Sequence, residues 1–365
     1  MPLIRTTRLA SSYVEYLERS KVHYEACDDL TILANDLTAS RGMTLCGPIR
    51  NEIYFLPAFL EHYRKLGVER FILLDDRSED GTRDYLATQP DVMILGSEWR
   101  FGDTFFPTTG PLAGRRRRMV HIWRTLMMQK FCIGRWALCL DADEFISLPT
   151  GWRFQDLIAK LPREGAHAIT GVMLDTYPEN ISELHVDNSF NPMGNWYVDG
   201  YRHVSPRFYK TGFRTLYPGA RARLLHDLGL VKETRLRMLK RIVLRRSRYP
   251  KFNSIVKTVL MKWKFDSAFL DSHRTTLQVN QQALLPILHF KFTPDLYRRS
   301  YSALTEEQYS NASSEYRVMK SLLAELEAAG GYFLCRNSHL ANDFRALCRN
   351  GNAMLPLNSN SHREQ

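Results

Sequence analysis

Three acids stand within four positions in "WALCLDADEFISLP", residues 136–149: Asp141, Asp143 and Glu144. They end an apolar run that reads as a buried strand. A carboxylate held out of water needs a cation, a donor or a proton. Asp141 and Asp143, one residue apart at a strand exit, face one cavity if the chain turns there. Hard divalent cations such as Mg²⁺ and Mn²⁺ prefer oxygen ligands, usually one or two carboxylates plus substrate phosphates. Such an ion would compensate both charges. Acidic turns are common, so the pair alone also fits a solvated turn in which Glu144 starts a cap.

The elements that must position these acids lie upstream. "MTLCGPI" is a short apolar strand, and "FLPAFLEHYRKLG" follows with helical periodicity and a stop at Gly67. "RFILLDD" is a second strand, "SEDGTRDYLATQ" a helix with Ser78 as its cap, and "DVMILG" a third strand. This alternation predicts βαβ units and a parallel sheet, which binds ligands beyond the carboxyl ends of its strands. That edge carries Arg50, Asn51, Glu52, Asp75, Asp76, Asp141 and Asp143. Asp75 or Asp76 suits the N–H of a pyrimidine base, and Arg50 offers a fork to phosphate or ribose oxygens. The bland alternatives are turn acids and, for Glu52, a helix N-terminal acid. Residues 115–131 read as a helix with a very basic start. "AHAITGVMLD" ends at Asp175, and "LLPILHFKF" is a late strand carrying His289.

Length and composition set the frame. At 365 residues the chain can bury a sizeable core, and 44% hydrophobic with 24% charged residues is ordinary for a globular protein. The net charge of +11 suits phosphate-bearing ligands, nucleic acid or an anionic membrane. Six cysteines form no CxxC pair and no zinc-finger spacing, so reduced core thiols are expected. No signal peptide or bilayer-spanning stretch is evident, and a cytoplasmic location is expected. The segment "KETRLRMLKRIVLRRSRYPK" reads as a basic amphipathic helix suited to an anionic membrane from the cytoplasmic side.

Three blocks, "LCGPIRNEIYFLPAFLEHYRKLGVERFILLDDRSEDGTRDYL", "WALCLDADEF" and "LLPILHFKF", resemble family 2 glycosyltransferases of a bacterial branch over roughly residues 43–300. The resemblance implies an α/β fold of the GT-A type: a Rossmann-like, mostly parallel central sheet flanked by helices. It also implies a nucleotide-diphosphate sugar donor, a Mn²⁺ or Mg²⁺ ion bound through the D-x-D, and inverting transfer to a hydroxyl of a glycan or a lipid-linked or other glycoconjugate acceptor. Arg50, Asn51 and Glu52 fall where the family contacts the donor nucleotide, and Asp75 and Asp76 at the uracil-recognising acid. Asp141 would face ribose or metal, and Asp143 would ligate the metal. A histidine near the last core strand often completes the shell, with His289 first and His273 second. The chain departs from the pattern at "DDRS", where Arg77 adds a donor, and at the basic residues 232–251. The expected organisation is an N-terminal extension at 1–40, a glycosyltransferase domain at 41–300 with a basic insert at about 226–255, and a helical C-terminal region at 301–365.

Glycosyl transfer also needs a base on the acceptor hydroxyl. Asp175 is the first choice, with Asp199 and Glu179 as alternatives. Aromatic residues from Tyr177 to Tyr217 can stack on sugar rings, and Arg115 to Arg118 can meet phosphates. Two other classes compete. A metal-dependent nucleotidyltransferase would more often carry a Gly-rich phosphate loop than "GPIRNE". A basic nucleic-acid-binding module has only the charge in its favour and no recognisable motif, so no nucleic-acid partner is expected.

Overall fold

The structure is a computed structural model, and it describes residues 30–105, 117–161, 167–186, 189–206, 212–231, 254–264, 267–302 and 310–355. In chain order the elements are β1 (Thr31–Ala34), β2 (Thr44–Ile49), α1 (Leu56–Lys65), β3 (Arg70–Asp75), α2 (Thr82–Ala87), β4 (Val92–Gly96), β5 (Thr104–Phe105), β6 (Arg117–Arg118), α3 (Met119–Phe131), β7 (Trp136–Cys139), β8 (Glu144–Ile146) and α4 (Phe154–Ala159). There follow β9 (Ala168–Asp175), a 3₁₀ turn (Ile181–His185), β10 (Tyr197–Asp199), β11 (Val204–Pro206), β12 (Phe213–Thr215), α5 (Ala220–Asp227), β13 (Val256–Lys262), β14 (Val279–His289), α6 (Pro294–Ser302), α7 (Ser310–Ala328), β15 (Ser338–Leu340) and α8 (Phe344–Arg349).

A nine-stranded sheet has the order β1-β4-β3-β2-β7-β13-β9-β14-β8. Its block β4-β3-β2-β7 is parallel. β1 joins antiparallel to β4, β13 to β7, and β8 to β14. The fold is thus the expected Rossmann-like α/β class, with a central sheet and flanking helices. The residues of β2, β3 and β4 are buried throughout, which explains why they read as unbroken apolar runs rather than alternating ones.

The chain divides into two units: Met1–Ala142, Trp152–Thr170 and Lys257–Asn280 form the first, and Asp143–Gly151, Gly171–Val256 and Gln281–Gln365 the second. In the first, α1 buries Leu56, Phe59, Leu60 and Tyr63 as one stripe and carries Pro57 in its first turn. α3 is buried on nearly all sides around Trp123, and packs with Cys46, Ile72, Leu74, Met93 and Leu95 from the strands. Arg70 sits in this interior because it spends its donors on Thr44 Oγ1 and the carbonyls of Leu37, Ser40 and Phe131. Cys46, Cys132 and Cys139 are buried free thiols. In the second unit Tyr177, Leu224, Phe292, Met319, Leu322, Leu326 and Phe333 form a separate core.

Two local expectations change. The helix expected from residue 115 starts at Met119, because Arg117 and Arg118 pair instead with Thr104 and Phe105 in a two-stranded ribbon. Arg118 lies over the Phe101 ring at 5.6 Å, while Arg115 and Arg116 lie outside the described residues. α2 is capped by Gly81 at φ +88°, not by Ser78. The segment 232–251 also lies outside the described residues.

Candidate functional site

In the first unit, the parallel register puts the ends of β2, β3 and β7 at one sheet edge. Gly47 makes this possible. A Cβ there would lie 2.4 Å from the Leu140 carbonyl, so only glycine lets the strand pass as the chain leaves β7 toward Asp141. The loop after β2 is stapled to the loop after β3. Asn51 N–H donates to Ser78 Oγ at 2.9 Å, Glu79 N–H to Asn51 Oδ1 at 2.8 Å, and Glu52 N–H to Thr82 Oγ1 at 2.9 Å. Asn51 and Arg77 both take the left-handed backbone, at φ +54° and +58°. Arg77 turns its guanidinium to the Glu98 carbonyl. The Glu52 carbonyl accepts from the N–H groups of Phe55 and Leu56 as α1 begins.

Asp75 and Asp76 part company. Asp75 is committed to the turn: Oδ1 accepts from Ser78 N–H, and Oδ2 from Arg83 Nε at 2.7 Å. Asp76 Oδ2 accepts from Phe101 N–H at 2.9 Å and lies 3.8 Å from Arg50 Nη1. Its Oδ1 is buried without a partner, as is Arg50 Nε. Burial raises the Asp76 carboxyl above its ordinary range, against the pull of the Phe101 hydrogen bond and Arg50. A buried acceptor beside a buried donor, each without a partner, is what a bound polar ring would satisfy.

Asp141 is held by two buried cations, Arg124 and Lys257. Lys257 Nζ donates to Oδ2 at 2.7 Å, and Arg124, which also reaches Cys139 Sγ, donates to Oδ1. The carboxylate itself is more than a third exposed. Two protein cations thus compensate the Asp141 charge. His273 sits in a turn where its N–H donates to Asp271 Oδ1.

In the second unit, Asp143, Glu144 and His289 bring one ligand atom each to within 4.8 Å of one another. The antiparallel pairing of β8 with β14 sets His289 opposite Glu144, and Phe290 N–H donates to the Asp143 carbonyl at 2.9 Å. His289 Nδ1 lies 2.8 Å from Asp175 Oδ1, so Nδ1 carries the proton and Nε2 faces Asp143 Oδ2 at 3.5 Å. Asp175 Oδ2 accepts from Arg221 Nε at 2.8 Å. Lys291 Nζ reaches Asp143 Oδ2 at 3.2 Å. Carboxylate, carboxylate and imidazole, with the imidazole oriented by a further carboxylate, is a donor set that fits a divalent cation such as Mn²⁺.

The electrostatics follow from the contacts. Burial opposes ionisation of Asp143, but Lys291 and then His289 outweigh it and hold the carboxyl well below its usual range. Burial pushes His289 down, and the Asp143 charge and the hydrogen bonds to Asp143 and Asp175 bring it above its ordinary value. Asp175 is buried too, yet Arg221 and His289 depress it strongly. Both Asp175 oxygens are occupied, one on His289 and one on Arg221, and its basicity is lowered. Asp199 is buried under Arg223, which forks onto both oxygens at 3.0 Å, with Tyr177 and Tyr217 hydroxyls on the same carboxylate. Glu179 leads into the 3₁₀ turn, its N–H on Glu183. The aromatic residues divide: Tyr177 and Tyr217 are core, Trp196, Tyr197 and Tyr201 are half-buried, and Phe208 and Tyr209 lie outside the described residues.

No protein-family model matches the chain. A stretch of 172 residues is 25% identical to a glycosyltransferase family 92 protein of Ricinus communis. The match covers 47% of this chain and 26% of the relative, so the chain spans about a quarter of the length of the protein it matches. The similarity is to a glycosyltransferase, of a family numbered differently from the one the sequence motifs resemble. No helix among the described residues is long and apolar enough to cross a membrane.

Arg124, Lys257, Lys291 and Arg221 are site residues that sequence reasoning missed. Each is a cation inside or just beyond an apolar run, and only Lys291, two residues past His289 in "LHFKF", carried a local signal.

Proposed function

We propose that this chain is a glycosyltransferase that moves a sugar from a nucleotide-diphosphate donor, a UDP-sugar, to a hydroxyl of a glycan or glycoconjugate, with inversion and with a divalent ion, on a GT-A type of fold. The observation that carries this reading is the cluster Asp143–Glu144–His289 with Asp175 and Arg221 behind the imidazole. The similarity to a family 92 glycosyltransferase and the resemblance to family 2 motifs support it from the sequence side.

In this reading Arg50, Asn51, Glu52, Asp76 and Asp141 serve the nucleoside. The partnerless Asp76 Oδ1 accepts the N3–H of uracil, and Arg50 Nε donates to a ring or phosphate oxygen. Asp141, locked by Arg124 and Lys257, turns its exposed side to ribose hydroxyls rather than to the ion. Asp143, Glu144 and the Nε2 of His289 would hold Mn²⁺ or Mg²⁺, whose Lewis acidity stabilises charge on a departing diphosphate. Asp175 fixes the His289 tautomer by accepting from Nδ1, and Arg221 keeps Asp175 ionised for that task.

The test is a panel of UDP-, GDP-, CDP- and dTDP-sugars, incubated with and without Mn²⁺ and read by release of the nucleoside diphosphate. Release from a UDP-sugar that requires the ion and disappears in Asp143→Ala is expected. Normal turnover by Asp143→Ala would remove the metal assignment, and a folded protein inert toward every donor would remove the enzyme class.

A further inference from the structure

We infer that Lys291 is a resident cation that holds Asp143 until a divalent ion arrives, and then turns to the diphosphate of the donor. The inference rests on the metal-dependent reading above and assigns a residue that reading leaves unused.

A lysine and a histidine converge on a single oxygen. Asp143 Oδ2 lies 3.2 Å from Lys291 Nζ and 3.5 Å from His289 Nε2. They are not equally able to move. His289 is tethered through Nδ1 to Asp175, which is itself clamped by Arg221, and the imidazole is almost wholly buried. Lys291 ends a flexible four-carbon stem and is about a quarter exposed, at 26% of its side chain. Its backbone is fixed. Lys291 N–H donates to the His289 carbonyl, and the preceding Phe290 packs edge-on against Phe145, Phe190 and Trp196. Only the ammonium can change place.

An ion that takes Asp143 Oδ2 as a ligand meets the Lys291 charge at close range. The ammonium must yield, and it stays protonated as it does so. The nearest new negative charge is the diphosphate that the ion brings with it. Lysine suits that duty as a point charge for phosphate oxygens. Lys291 therefore competes with the bare ion and cooperates with the ion–diphosphate pair. No bond is made or broken in this exchange.

Calorimetry on the full chain separates the two effects, using Mn²⁺ alone as one titrant and UDP in saturating Mn²⁺ as the other. Lys291→Gln is expected to bind Mn²⁺ alone about tenfold more tightly and UDP about tenfold more weakly. Lys291→Arg keeps the charge and is expected to retain the wild-type order of both affinities. A lysine that merely supports the fold would weaken both titrations together, and that result overturns the inference. So does a Gln variant with either affinity unchanged, or an Arg variant that behaves like Gln. If wild type, Lys291→Gln and Asp143→Asn all fail to bind Mn²⁺, the metal reading falls and takes this inference with it. If wild type binds Mn²⁺ through Asp143 while Lys291 has no effect, only the inference falls.

Discussion

Neighbouring acids do different work here because their surroundings differ, not their chemistry. Asp75 and Asp76 are adjacent and both buried, yet one is saturated by Ser78 and Arg83 while the other keeps an oxygen without a partner. That leaves Asp76 as the acid with capacity for a ligand. A carboxyl whose folded pKa lies above its unfolded value supports stability at low pH and costs stability once it ionises. Asp76→Asn should therefore leave the melting temperature at pH 7 unchanged or higher while UDP affinity falls. A marked loss of stability would instead make Asp76 a structural acid. Asp175 is the opposite case, a carboxyl held ionised, for which the proposed task is to orient His289. Asp175→Asn keeps the shape but loses the carboxylate that orients His289. Mn²⁺ affinity should drop by about 10- to 100-fold, as for other second partners of metal-bound histidines. Unchanged Mn²⁺ affinity, measured by calorimetry, would return Asp175 to the list of candidate bases.

At the scale of elements, the close approach of β2 to the exit of β7 sets where Asp141 stands. Gly47→Ala puts a methyl group 2.4 Å from the Leu140 carbonyl, a backbone atom that cannot rotate away. It should cost about 1–3 kcal/mol, as overpacking elsewhere does, and thermal unfolding would show it. An unaltered melting curve would mean the strands can separate there without penalty. The same stretch shows what was legible beforehand. β2, α1, β3, α2 and β4 were readable because continuous apolar strands and an amphipathic helix leave distinct periods in the chain. The acids at the strand ends were readable for the same reason, since a strand pattern announces where it stops. Their cations were not. Arg124 lies within a helix buried all round, so no periodicity marks its face, and Lys257 sits in a strand more than a hundred residues from Asp141. Pairings of that span leave no mark on local pattern. Nor did the basic run at 115–118 announce its ribbon, because two-residue strands are too short to have a period.

For the whole molecule, charge matters at two levels. The net +11 and the basic residues 232–251 support the proposal of an anionic membrane partner, to which each nearby Lys or Arg contributes about 1 kcal/mol. Co-sedimentation with phosphatidylserine vesicles at low salt, lost on Arg245→Glu with Arg246→Glu, is the expected result; absence of binding at low salt would remove that partner. Within the fold, the arginine-paired acids Asp175 and Asp199 shift in the opposite direction to Asp76. Asp175 and Asp199 are buried in the second, and Arg221 and Arg223 outweigh that burial and depress both carboxyls. Their contribution to stability is complete above the unfolded value of about 3.9 and is lost as the pH falls through the depressed folded values. Asp76, in the first unit, runs the other way, since its raised pKa makes protonation a relief. Acid should therefore weaken the second unit first. Hydrogen exchange, corrected for intrinsic rates and followed from pH 5 to pH 2, should show amides of β10 and the end of β9 losing protection while those of β3 and β4 retain theirs. Loss of protection in β3 and β4 ahead of β10 would mean that the arginine-paired carboxylates do not govern acid stability.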